Sequence, residues 1–153
     1  MLQLRDTRTG AVAPIVGPGA RVLRVQAGDT GLRTRLVADV VSRVATLVHD
    51  LQVVVSVAAS HDDGPAPDID PATLNIHPAD TTEPLTHADV TVGSAGGDPA
   101  IAGQHIGVGA LSLHPDLTAE LRVSAAGPDP LALRLAMLDA RYEASLVLSL
   151  PAI

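Results

Sequence analysis

The sequence predicts an α/β domain with a mostly parallel sheet, an N-terminal β-hairpin and C-terminal helices. Three observations lead there. Across residues 20–59 the hydrophobic pattern changes from a short strand-like run to a 3.6-residue period and then to a continuous apolar run. Strand, helix and strand in that order make a βαβ unit, expected to be parallel and right-handed. Near the start, Thr9-Gly10 parts two short apolar runs. Toward the end, residues 129–148 open on Asp129-Pro130 and continue with leucines at helical spacing.

The elements follow in order. "LQL" and "AVAPIV" flank the Thr9-Gly10 turn, so residues 2–15 read as a hairpin. "ARVLRV" (20–25) is a strand entering the Gly28 turn. From Thr30 onward, Leu36, Val37, Val40, Val41, Val44, Leu47, Val48 and Leu51 share one helical face, opposite Arg33, Arg35, Ser42 and Arg43. Asp29 or Thr30 caps that helix. "VVVSVAA" (53–59) has the β-branched run of a strand buried on both faces. Residues 62–84, rich in Pro and Asp, read as a long connector. "ADVTVGS" (88–94) is a short strand, and the Gly-rich segment after it has no clear period. "DLTAELRVSAAG" reads as a helix stopped by Gly127, and residues 129–148 as a final helix with Leu131, Leu135 and Leu138 on one face. One domain over residues 1–153 accommodates this: hairpin and βαβ unit to residue 61, connector over 62–87, Gly-rich segment and helices over 88–153.

Composition removes several functions. The chain carries 10 basic residues against 17 acidic, a net charge of −7, and every basic residue is arginine. Without a basic block it is a poor partner for a nucleic-acid backbone. Having no cysteine, it offers no disulfide, no thiolate metal ligand and no thiol redox chemistry. No apolar stretch is long enough to span a bilayer, and the first ten residues lack a signal-peptide core, so a cytoplasmic protein is expected. Tyr142 is the single aromatic residue, so the core must be built from Val, Leu, Ile and Ala.

Four blocks resemble cysteinyl-tRNA synthetase and its relative, the ATP-dependent mycothiol ligase. "LQLRDTRTGAVAPI" is similar to the family's opening hairpin, and "RVLRVQAGDT" to its first core strand and turn. "RTRLVADVVSRVATLVHDLQVVVSVAASHDD" is similar to its first core helix and second strand, and "LNIHPADTTEPLTHADV" to a Pro-rich segment further on. A weaker block, "AAGPDPLALRLAMLDARYEASL", resembles a later helix. The resemblance implies a trimmed Rossmann-like core of the class I synthetase type.

It also implies an ATP-dependent aminoacyl ligase whose working parts are missing here. The family's His-x-Gly-His has no counterpart, and Gly31 stands at its second histidine. The lysine loop is impossible without lysine; "LSLHPDL" (111–117) takes its place. The zinc thiolate expected after the first strand is Ala27. Such donors stabilise charge in phosphoryl chemistry, and losing all three sets implies a rate loss on the order of 10⁵-fold. The expected function is therefore a non-catalytic remnant serving as a ligand- or protein-binding scaffold. The alternative is a reduced ligase that still binds nucleotide at the first βα turn.

The candidate anion site is that turn: Gly28, Thr30, Arg33 and Thr34, where backbone N–H groups open a helix and Arg35 adds charge. ATP is the cofactor such a turn would take; otherwise none is expected. His61, Asp62 and Asp63 read as a solvated strand-end loop rather than a metal cluster, and His77, His87, His105 and His114 as loop histidines without ligand spacing. "GSAGGDPAIAG" (93–103) lacks the Gly-Lys-Ser/Thr end of a P-loop. Ser112 and Ser145 have no triad partners at recognisable spacing. Trimming the core exposes apolar surface, which predicts a homo-oligomer or a complex with a partner.

Overall fold

The computed structural model describes residues 1–57, 69–94, 103–123, 129–139 and 141–149. Its centre is a four-stranded sheet of β3 (Val22–Ala27), β4 (Gln52–Val57), β5 (Val90–Ser94) and β6 (Gln104–Val108), in the order β4-β3-β5-β6, with every neighbouring pair parallel. The hairpin is β1 (Gln3–Arg5) and β2 (Val12–Pro14), antiparallel as expected. A short parallel pair, β7 (Leu111–Leu113) and β8 (Leu146–Leu148), lies apart from the main sheet. The helices are α1 (Leu32–His49), α2 (Pro115–Val123) and α3 (Pro130–Asp139). No helix among the described residues is long and apolar enough to cross a membrane.

Register explains the layering. Residues opposite one another on neighbouring strands present side chains to the same face. Val25, Val55 and Val90 align in one row, and Ala27, Val57, Val92 and Ile106 in the next. This apolar face packs under α1 through Val37, Ala38 and Ala45. A second core joins Leu32 and Leu36 of α1 to Ile69, Leu74, Ile76, Leu117, Leu133, Met137 and Leu148.

Several expectations need correction. Neither Asp29 nor Thr30 caps α1. Gly31 is the N-cap residue, with no side-chain capping bond, because Asp29 Oδ1 accepts from Gly31 N at 2.8 Å instead. The helical face is apolar over its whole length, yet Val44, Leu47 and Val48 are exposed, since the second core covers only the first half of the helix. The β-branched run forms an edge strand, largely half-buried, rather than one enclosed on both faces. The connector is not all solvated: Ile69, Leu74 and Ile76 are core residues. The final helix ends at Asp139 and β8 follows, where Leu146–Leu148 pair with β7. Leu131, Leu135 and Leu138 do share a face of α3, but an exposed one; Leu133 and Met137 make the buried contacts. Asp129 caps α3 as expected, its Oδ1 accepting from Leu131 N at 3.1 Å. Gly127 lies outside the described residues.

The hairpin is fastened to the far edge of the sheet. Thr7 N donates to His105 O at 2.9 Å, and Thr7 Oγ1 accepts from Gly107 N at 2.7 Å. Asp6 accepts from Arg8 N, Thr9 N and His105 N and pairs with Arg8 Nη2 at 2.9 Å. Hydrogen bonding from Arg8 is the main cause that holds the Asp6 carboxyl well below the usual carboxylate range, against the opposing effect of burial.

Candidate functional site

The first βα turn sits where the strand order reverses. From β3 the chain passes through α1 to β4 on one side, and β5 then adds on the other side of β3. In open parallel sheets, ligands gather at the carboxyl ends of strands at such a reversal. Here the two strand ends close on each other. Gly28 N donates to Val92 O at 2.7 Å, and a Cβ on Gly28 would lie 3.8 Å from Gly93 Cα. Gly28 is exposed and Thr30 half-buried, whereas Thr34 is buried.

Arg33 does not stand beside that turn as a free cation. Its residue is 2% exposed. Nη2 donates to Arg141 O at 2.9 Å, and Nη1 donates to Gly109 O at 3.3 Å and to Ala144 O. No carboxylate pairs with it among the described residues, and Nε has no partner. Burial lowers its pKa from the ordinary guanidinium value. An arginine has five N–H donors in a rigid fork, which suits three backbone carbonyls from two segments. Arg33 thus ties the start of α1 to the residues that follow β6 and α3.

A different site lies along the other flank of α1. Between that helix, edge strand β4 and residues 76–80 runs a groove of about 360 Å³. Its floor is Val53, Val55 and Val57, and its helical wall carries Arg35, Asp39, Ser42 and Arg43. The opposite wall is fixed to β4: Asp80 N donates to Val55 O at 2.8 Å, Val55 N donates to Asp80 Oδ2 at 2.7 Å, and Val57 N donates to Thr81 O at 3.1 Å. Asp39, its side chain 2% exposed, holds three segments together. It accepts from Arg43 Nε at 2.8 Å, from Arg134 Nη2 of α3 at 3.3 Å and from His77 N at 3.1 Å. Half-buried Arg35, by contrast, makes no side-chain hydrogen bond or ion pair among the described residues.

The opposite face of the sheet carries a polar row that the sequence reading missed. Ser56, Gln26, Thr91 and His105 align across β4, β3, β5 and β6. Ser56 Oγ donates to Glu83 O at 2.5 Å, and Gln26 Oε1 accepts from Leu85 N at 2.8 Å. Thr91 Oγ1 and His105 Nδ1 are buried without a partner. The alternation in "VLRVQA" and the isolated Thr91 were the available signals.

Among the described residues the histidines do not converge. His77, His87 and His114 are exposed, each near its own carboxylate: Asp39, Asp89 and Asp116 respectively. His105, expected in a loop, is buried within β6, because that strand was hidden in the Gly-rich segment. Among the described residues no cluster of three or more metal-ligating side chains forms. His61, Asp62 and Asp63 lie outside them, as does most of the Gly-rich stretch 93–103. Comparison with protein-family models, curated proteins and solved structures gave no match for this chain.

Proposed function

We propose that the chain is a non-catalytic binding scaffold, a pseudoenzyme remnant of a cysteine-activating class I ligase. One observation carries this reading. The cationic side chain nearest the first βα turn in sequence, Arg33, is committed to the carbonyls of residues 109, 141 and 144, and is buried there. A group spent on carbonyls cannot also follow charge developing on a phosphate without breaking those bonds. The turn's own amides are partly committed as well, Gly28 N to Val92 O and Gly31 N to Asp29 Oδ1. The test is ATP–pyrophosphate exchange with cysteine and other amino acids. No exchange is expected; robust exchange abolished by substitution at Gly28 or Thr34 refutes the reading.

A second reading has its own support. α1 begins without a side-chain cap at the point of strand-order reversal, where a helix N-terminus attracts anions. A reduced ATP-dependent ligase would use Gly28, Thr30 and Thr34 there to hold nucleotide. A melting shift with ATP that is lost in Thr34→Val would favour it, and identical melting with and without millimolar ATP would remove it.

A further inference from the structure

We infer that the groove between α1 and β4 binds a small aliphatic monocarboxylate, with its carboxylate on Arg35 and its hydrocarbon on the valine floor. The inference rests on the scaffold reading and adds to it a site and a ligand class. It starts from charge. Of the charged groups lining the groove, Asp39 is neutralised by Arg43 and Arg134, and Asp80 accepts from Val55 N. His77 lies against Asp39, its Nδ1 3.6 Å from Oδ1. Arg35 alone among these has no side-chain hydrogen bond or ion pair with the described residues. A half-buried, unpaired guanidinium is a strong, bidentate donor site for a carboxylate.

Shape supplies the rest. α1 runs back antiparallel to β4, so Arg35 lies toward the Val57 end of the groove and Leu47 toward the Val53 end. The two ends therefore differ, with the Arg35 cation at one and exposed Leu47 beside half-buried Val53 at the other. Residues 35 to 47 span roughly 18 Å of helix, which suits an extended chain better than a compact ring. The volume of about 360 Å³ falls within the range of small-molecule sites, and such sites combine apolar lining with a few placed polar groups. The walls are already fixed by Asp39 and by the hydrogen bonds between β4 and residues 80–81, so little ordering is needed on binding.

The experiment is a calorimetric and NMR titration of the full chain with octanoate, with 1-octanol and octylamine as controls. Saturable octanoate binding is expected, with both controls at least about tenfold weaker, as loss of one charge-assisted pair implies. Arg35→Gln should weaken octanoate about tenfold, Leu47→Asp should weaken it also, and Arg5→Gln, at an exposed position in the hairpin on the far edge of the sheet, should leave it unchanged. Neither Arg35 nor Leu47 is tied into the core, so circular dichroism should be native-like for both. Absence of saturation up to about 10 mM, or equal binding by wild type and Arg35→Gln, overturns the inference. That result leaves the scaffold reading standing. Pyrophosphate exchange would remove the scaffold reading while leaving octanoate binding to be judged by its own titration.

Discussion

Replacing Asp39 by alanine should unfold more of this protein than its single charge suggests. The carboxylate is almost fully buried and accepts from Arg43, Arg134 and the His77 amide. Hydrogen bonds to charged groups contribute roughly 1.5–3 kcal/mol each. They do not simply add here. Arg43 is 29% exposed at its side chain and recovers water, so its share is discounted. Arg134 keeps its bonds to Leu74 O and Asn75 O, while the His77 amide loses its partner. The net cost should fall near about 3–4 kcal/mol, the lower part of the range for breaking a buried pair. For a domain of this size that corresponds to a melting shift of roughly 6–16 °C. Urea melts followed by circular dichroism measure it, with an unchanged slope confirming the same unfolding transition. Asp39→Asn, which keeps one acceptor oxygen, should lose less. A cost below about 1 kcal/mol for the alanine variant would refute the claim that Asp39 joins α1, α3 and residues 74–77.

Other outcomes follow from the same structure. Asp6 has a folded-state pKa below its unfolded value, so its contribution is present above the ordinary carboxylate pKa and is lost as pH falls through the lowered folded value. Acid melts should therefore be steeper for wild type than for Asp6→Asn between about pH 4 and pH 2, and parallel curves would argue against it. Leu36→Ala, at a fully buried position, should cost about 2–5 kcal/mol, whereas Leu47→Ala, 80% exposed, should stay within about 0.5 kcal/mol in the same urea series. Gly103 has φ +88° and a Cβ there would meet the Ala88 and Asp89 carbonyl oxygens, so Gly103→Ala should destabilise by at least about 1 kcal/mol; neutrality would show that this turn relaxes freely.

The parts of the fold that were legible in the sequence are those where local signals and tertiary context agree. The strand-like run "ARVLRV", the long period of α1 and the Asp129-Pro130 start of α3 each correspond to an observed element. β6 was hidden because Gly107 sits within it and Gly103 and Gly109 flank it; the structure uses Gly103 for a left-handed turn and Gly109 for a close approach to the Ala144 backbone. β8 was read as helix because "SLVL" continues a leucine pattern, and only its partner β7, more than thirty positions earlier, makes it a strand. Burial failed where a partner surface decides it: Val44, Leu47 and Val48 fit the apolar period of α1 but are exposed and belong to neither core among the described residues. The Asp39 cluster was invisible for a similar reason. Its Arg43 half is a local i,i+4 pair, but Arg134 is 95 positions away. Arg33 looked like an anion ligand from its place after a glycine turn, and the three carbonyls it serves are 76 to 111 residues distant.

Those separations affect how the chain is made. The Asp6–Thr7 clasp on β6 closes over 98 to 100 residues, and the Arg33 clasp over as many as 111. At ribosomal speed, the early partners wait on the order of 5–20 s before the later ones emerge. During that interval the hairpin and the first turn of α1 are available to chaperones, proteases or neighbouring nascent chains, and docking waits until β6 and residues 141–144 have emerged.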